Sequence, residues 1–131
     1  MKNILIIFIL IFSQQISSQT QLEMNEKAKS DYLKTEDNLK SIYNRIITEY
    51  KSDSTFISNL KKTQRIWINL RDAEVEMKYP STEKSSFGSV FPMCKWIYLT
   101  NLTENRIHKL KEWIIGIEEE NVCKGSTKQK D

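Results

Sequence analysis

Residues 60–74 (LKKTQRIWINLRDAE) constrain the fold more than any other part of the chain. Gln64 and Arg71 are seven residues apart. Trp67 and Glu74 have the same spacing, which places all these side chains along neighbouring tracks of one helix. The tryptophan indicates that one face of this helix is buried rather than solvated. The charged side chains on that face must then have partners, because an unpaired buried charge costs roughly several kcal/mol. The segment therefore predicts a helical domain with an internal polar network.

The N-terminus has the organisation of a cleavable export signal. Lys2 supplies a positive charge, residues 4–12 (ILIIFILIF) form an uninterrupted apolar run, and residues 13–19 are mainly small or polar. The run is shorter than the about 20 residues that span a bilayer. No cysteine follows it, which argues against a lipid-anchored signal. We expect a signal peptide over residues 1–18, with cleavage after Gln19 as one alternative and a buried N-terminal helix as another.

Signal cleavage would leave a periplasmic or secreted protein without stable membrane insertion. The remaining 113 residues fit one domain, which we place at 19–123, followed by a basic tail at 124–131. The tail has few apolar residues, so we expect it to be disordered. The net charge of +3 falls to +2 when Lys2 is removed. A nucleic-acid-binding protein usually has a larger basic excess on one face, so we expect no nucleic-acid partner.

Apolar side chains recur every three or four positions over three segments, which is the periodicity of helices. The segments span residues 22–51, 56–79 and 96–117. The first stripe contains Ala28, Tyr32, Thr35, Leu39, Ile42, Ile46 and Tyr50; the second contains Phe56, Leu60, Thr63, Trp67, Leu70 and Met77; the third contains Trp96, Thr100, Thr103, Ile107, Leu110, Ile114 and Ile117. We predict an all-α fold, an antiparallel bundle of three long helices with Trp67, Trp96 and Trp113 in its core.

Local signals mark the ends of these helices. Ser52, Asp53 or Ser54 can cap the second helix, and Pro80 ends it. Residues 80–92 hold both prolines and Gly88, which predicts a loop between the second and third helices. Gly116 is a stop signal near the end of the third helix.

Several motifs resemble the LprI-type lysozyme inhibitor family of exported bacterial proteins. They are Gln64-Arg65-x-Trp67, Arg71-Asp72-Ala73-Glu74, a loop with Gly88, and Leu99-Thr100-x-Leu102-Thr103-x-x-Arg106, together with Met24-Asn25 and Asp37-x-Leu39 to Tyr43 upstream. The resemblance covers about residues 24–113. It implies a helical fold, export and a muramidase partner. The chain departs from the family at Lys27 and Val75, where family members often carry cysteines.

Cys94 and Cys123 are the two cysteines that the chain retains. Export into an oxidising compartment favours a disulfide between them, with free or intermolecular thiols as the alternative. A helix between Cys94 and Ile114 is about 30 Å long. The bond therefore requires the tail to run back along the third helix, or that helix to begin after Cys94.

The polar motif residues admit two interpretations. In the first they form a structural network between the second and third helices, composed of Gln64, Arg71, Glu74, Thr100, Thr103 and Arg106. In the second, Arg71 or Asp72 reaches the catalytic carboxylates of a partner enzyme.

The loop between the second and third helices is a candidate partner contact. Phe87 and Phe91 flank the flexible Gly88, a composition suited to insertion into a cleft. The same two rings can instead fold down over the end of the bundle.

Catalysis has little support in the sequence. His108 is the only histidine, and no nucleophile can be assigned to it. Glu118, Glu119 and Glu120 are consecutive and would diverge around a helix, and no metal or phosphate motif occurs, so we expect neither a catalytic site nor a cofactor. The resulting prediction is a non-enzymatic inhibitor that occludes a muramidase cleft. The alternative is a structural or scaffolding module of the cell envelope that binds peptidoglycan or a protein without inhibiting.

Charge bears on which muramidase would be the target. Common animal lysozymes are strongly basic, so an inhibitor of such an enzyme should present an acidic face. The available acids are Glu74, Glu76, Glu104 and residues 118–120. If they do not gather on one face, we expect a less basic target.

Overall fold

The computed structural model describes residues 2–130, with side chains described for residues 20–83 and 85–130. It contains three long helices, α1 (Lys2–Glu49), α2 (Ser54–Lys78) and α3 (Phe91–Ile115), and a short 3-10 segment, Ser81–Phe87, before α3. Within residues 2–130 there is no β-strand, only an isolated bridge between Ile117 and Gln129. The predicted all-α bundle is confirmed.

Helix α1 extends further toward the N-terminus than the predicted stripe, since it begins at Lys2. The side chains of the predicted signal peptide, residues 1–18, lie outside the described residues, and its cleavage stays a prediction. In the described part of the chain, no helix has both the length and the apolar character that crossing a membrane requires.

Helix α3 runs parallel to the part of α1 that follows Asn25 and packs closely against it, and α2 is antiparallel to both. Contacts near both ends of α3 fix this register. The Asn25 side-chain amide donates to the Ser89 carbonyl at 3.3 Å, and the Tyr50 hydroxyl donates to the Trp113 carbonyl at 3.0 Å. Helix α2 makes fewer close backbone approaches and packs on the α1–α3 pair through longer side chains.

The core consists of two clusters of buried side chains. The large cluster contains Leu39, Ile46, Leu60, Ile107, Leu110 and Ile114, and the small cluster contains Tyr32, Val75 and Leu99. The tryptophans lie at the edges of these clusters and are partly buried. Trp67 and Trp113 pack on the large cluster, and Trp96 packs on the small one, where it stacks on Tyr32 at 5.2 Å between ring centroids.

Helix α2 is rotated about its axis relative to the sequence prediction. Leu70 and Met77, which the apolar periodicity predicts to be buried, are 55% and 75% exposed. The face turned toward α1 and α3 instead carries Leu60, Gln64, Trp67, Arg71 and Val75. Polar partners on α1 and α3 hold two of these side chains inward, and successive helical residues differ by about 100°, so this orientation leaves Leu70 and Met77 in solvent.

The residues predicted to cap or end helices α2 and α3 lie at the ends of these helices. The Asp53 carboxylate accepts a hydrogen bond from the Phe56 N–H at 2.8 Å, and Pro80 follows the end of α2. Helix α3 begins earlier than predicted, and Pro92 lies in its first turn, where a missing N–H costs no helical hydrogen bond. Gly116 ends α3 with φ +80°.

The C-terminal tail folds back over the end of α3. The Ile117 N–H donates to the Lys128 carbonyl and the Lys130 N–H donates to the Ile117 carbonyl, both at 3.0 Å. The Lys128 N–H also donates to the Tyr50 hydroxyl at 3.1 Å, and Thr127 is buried. Residues 124–130 were expected to be disordered because they are polar. The structure places them against the bundle through backbone hydrogen bonds, which composition does not reveal.

The predicted disulfide between Cys94 and Cys123 is not formed, and both thiols are free. Cys94 lies in the first turn of α3, whereas Cys123 lies in the tail beyond the other end of that helix. The tail docks near Trp113, about 28 Å along α3 from Cys94. A disulfide needs Cα atoms within about 7 Å. The prediction fails because the tail does not run back along α3.

Replacing Gly116 with alanine should undock the tail. A Cβ atom there would lie 2.8 Å from the Gln129 carbonyl carbon and oxygen, in a backbone conformation with φ +80°. We expect the free energy of unfolding to fall by about 2 kcal/mol or more, with faster hydrogen exchange at the Lys128 and Lys130 amides. Gly125→Ala is the matched control, since φ there is +56° but nothing lies within 4 Å of the added carbon. Equal losses in both variants would contradict the docking role of Gly116.

Candidate functional site

A polar network joins all three helices at the middle of the bundle. Arg71 of α2 forms an ion pair with Glu36 of α1, with 2.6 Å between Nη1 and Oε1. The hydroxyl of Thr103 on α3, which is fully buried, donates to the same carboxylate oxygen at 3.4 Å. Glu36 is therefore the point where α1, α2 and α3 meet through polar groups.

Trp67 lies between the two arginines of this region. The guanidinium carbons of Arg71 and Arg106 are 5.2 and 5.8 Å from the centroid of the indole ring, within the range of cation–π attraction. The Arg106 Nε–H also donates to the Gln64 side-chain oxygen at 3.0 Å, which links α3 to α2. Arg106 thus fixes α2 against α3 through Trp67 and Gln64, whereas the contact between Arg71 and Trp67 lies within α2.

The structure includes four of the six predicted network residues in this arrangement: Gln64, Arg71, Thr103 and Arg106. The Thr100 hydroxyl instead donates to the Trp96 carbonyl within α3, at 2.9 Å. Glu74 is half-buried on α2 and does not join the network.

Sequence reasoning missed Glu36, which is the centre of the network. A signal for it existed, because Glu36 lies four residues after Tyr32 and three before Leu39, both of which belong to the buried stripe of α1. A carboxylate at that phase faces the bundle interior and needs a cationic partner.

The surroundings of the network are a groove and a buried tyrosine. Helix α2 stands off from α1 and leaves a groove of about 500 Å³, bordered by Glu36, Tyr43, Trp67 and Arg71.

Burial raises the pKa of Tyr32 to about 12, so its hydroxyl stays protonated beside the network at neutral pH. Arg71 is only 11% exposed and also contacts Asp72 at 3.0 Å, so its charge is already neutralised. This pairing supports the structural interpretation of Arg71.

The loop phenylalanines fold onto the end of the bundle. The rings of Phe87 and Phe91 stack at 5.4 Å and meet the edge of Tyr79 at 5.9 and 5.7 Å. Tyr79 also contacts Tyr98 edge-on at 6.1 Å, and burial raises its pKa. Gly88 between the two phenylalanines adopts φ +71°, a conformation that glycine reaches without strain. The loop therefore contributes an aromatic cap, formed by Tyr79, Phe87, Phe91 and Tyr98.

A second apolar stripe lies on the outer face of α2. We call it the α2 ridge; it consists of Ile66, Leu70, Ala73 and Met77, spaced by four, three and four residues. All four are exposed, with exposed fractions of 57%, 55% and 75% for the three large side chains. Contiguous apolar surface of this kind is typical of protein-binding sites.

In the described part of the chain, no three His, Cys, Asp or Glu side chains lie close enough to hold a metal ion.

A family model described as Lysozyme inhibitor LprI matches residues 13–110, which is most of the chain. The protein belongs to the LprI lysozyme inhibitor family. No curated protein and no solved structure shows significant similarity to it. The LprI match includes every helix segment that contributes to the polar network, and it ends before the tail that packs on Gly116.

A double-mutant cycle on Glu36 and Arg71 should measure the strength of the central ion pair. We expect a coupling free energy of about 1–3 kcal/mol from the Glu36→Ala and Arg71→Ala variants, because the arginine is largely removed from water. The matched control is the pair Lys27–Asp31, whose side chains are 76% and 45% exposed. Its coupling free energy should be about 0.3–0.5 kcal/mol. Urea unfolding gives both values. Similar couplings for the two pairs would refute the central role of Glu36.

Replacing Phe87 and Phe91 together with serine should destabilise the bundle end. We expect a loss of about 2–4 kcal/mol in the free energy of unfolding, because both rings pack on Tyr79. Val90→Ser is the control, since Val90 lies in the same loop and is 39% exposed. An unchanged melting temperature in the double variant would show that the aromatic cap does not hold the loop.

Proposed function

We propose that this protein is an exported, non-enzymatic inhibitor that binds a muramidase and blocks its substrate cleft. The match to the LprI family over residues 13–110 carries this proposal. Export rests on the N-terminal segment, where a charged residue precedes a short apolar run.

The α2 ridge is the surface that we assign to the muramidase. It is a convex row of apolar side chains about 16 Å long, which suits insertion into an elongated cleft. Lys62 is exposed four residues before Ile66 and extends the ridge with a positive charge. Glycoside hydrolases carry a pair of carboxylates beside the bond that they cleave, so a cation at one end of an apolar ridge complements their cleft. Arg71 is unsuited to this role because Glu36 and Asp72 already pair with it.

The distribution of acidic residues favours a weakly basic target. Glu74 and Glu76 lie on the turns of α2 around Val75, which packs against Leu99 near the start of α3. Residues 118–120 follow the opposite end of α3, about 25 Å away. Because these two groups of acids lie at opposite ends of the bundle, they do not form one acidic face, and electrostatic attraction would add little to the rate of association with a strongly basic lysozyme.

The second candidate function is an envelope module that binds a protein partner without inhibiting an enzyme. The α2 ridge also favours this function, because an amphipathic helix of a partner can pack along an exposed apolar stripe. The two functions differ in one measurable property, the effect of the protein on cell-wall lysis.

Wall-lysis rates measured with purified protein and a panel of basic and acidic muramidases test the proposal. We expect slowing of at least one weakly basic or acidic enzyme at micromolar protein, with little dependence on ionic strength. Absence of slowing across the panel would reject the inhibitor function and leave the envelope module.

Surface variants locate the contact on the bundle. Ile66→Ser with Leu70→Ser should weaken inhibition at least about tenfold without lowering the melting temperature, since both side chains are already exposed. Leu33→Ser is the matched control, because Leu33 is 51% exposed on α1. Retained inhibition in the ridge variant would exclude the α2 ridge as the contact.

A further inference from the structure

A cavity of about 320 Å³ lies between α2 and α3, at the end of the bundle where the tail docks. Its walls are largely apolar and are formed by Phe56 and Leu60 of α2 with Leu110 and Trp113 of α3. Arg106 lines the same cavity. The volume is at the lower end of the range found for small-molecule sites, which starts at about 300 Å³.

Arg106 has an unusual electrostatic position in this cavity. It is half-buried, and its Nε–H donates to the neutral side chain of Gln64. No carboxylate of the described residues lies within ion-pair distance of its guanidinium, in contrast to Arg71, which contacts both Glu36 and Asp72. Burial lowers the pKa of Arg106, which is the effect expected of a cation without a nearby anion.

The two ends of the cavity differ in charge. Asp53 lines the end nearest the start of α2, where its carboxylate accepts from the Phe56 N–H at 2.8 Å. Gln64, the partner of Arg106, is eleven residues further along the helix, about 16 Å away. A ligand with one anionic group therefore matches the Arg106 end, and a second anionic group would meet the Asp53 carboxylate. The apolar walls between these ends suit a hydrocarbon or aromatic body.

We propose that this cavity binds a small monocarboxylate with an apolar body, which pairs its carboxylate with Arg106 and places its body between Phe56, Leu60, Leu110 and Trp113. Carboxylates accept two parallel hydrogen bonds from a guanidinium, and the terminal nitrogens of Arg106 are not used by other described residues. This activity is separate from the contact with a muramidase, because the α2 ridge lies on the opposite side of α2 from Gln64.

Titration with octanoate, 1-octanol and octanedioate tests the proposal, since the three probes share a chain length and differ in charge. We expect octanoate to bind at least about tenfold more tightly than either of the others. The indole N–H resonance of Trp113 is a local reporter, because this group donates to Ser126 at the cavity wall at 3.1 Å. Octanoate should shift this resonance more than those of Trp67 and Trp96.

Two variants separate the ligand contact from effects on folding. Arg106→Gln should weaken octanoate binding at least about tenfold and weaken octanol binding less, because octanol has no carboxylate that pairs with the guanidinium. The same change at Arg45, which is 59% exposed on α1, is the control. Thr63→Trp fills the cavity from its exposed rim without altering Arg106, and it should abolish binding of octanoate. Octanol binding as tight as octanoate, or octanoate binding that survives Thr63→Trp, would overturn the proposal even if Arg106→Gln fails to fold.

Discussion

The Glu36 carboxylate is the constraint on which the arrangement of the three helices depends. Helices α1 and α3 contact each other closely through apolar side chains and would associate without it. Helix α2 lies further from both, and its position is set by Arg71 bound to Glu36 and by Gln64 bound to Arg106. Removing Glu36 would leave Arg71, which is 11% exposed, with only the exposed Asp72 as counter-ion. A partly buried charge in that state is costly, so α2 would have to move.

The features that could be predicted from the sequence are those determined by local interactions. The periodicity of apolar residues locates the three helices. Asp53 caps α2 by accepting a hydrogen bond from the Phe56 N–H, three residues further along the chain. Gly116 ends α3 because it reaches a positive φ without strain. The rotation of α2 could not be predicted in this way, because two apolar stripes on that helix compete for the interior. The stripe that faces the interior contains Gln64 and Arg71, whose partners lie on other helices. The partners of Glu36 also lie on other helices, so its role becomes visible only when residues distant in sequence are brought together.

The two arginines beside Trp67 show how similar positions acquire different roles. Arg71 and Arg106 lie at comparable distances from the indole ring, at 5.2 and 5.8 Å. Arg71 has a carboxylate partner on α1 and serves the structure, whereas Arg106 has only an amide partner and borders a cavity. The resemblance of the motif to a family identifies both residues but cannot distinguish them. The distinction comes from the pairing of charges across helices.

The polar network and the α2 ridge are consequences of the same rotation. If α2 had the phase that its apolar residues alone favour, Leu70 and Met77 would be buried and the ridge would not exist. Placing Arg71 inward turns these side chains about 100° away from the core and exposes them as a row. The apolar surface available to a partner is therefore maintained by a polar interaction in the interior. A change at Glu36 would therefore weaken the binding proposed for the ridge without altering a ridge residue, because it would release the rotation that exposes the ridge.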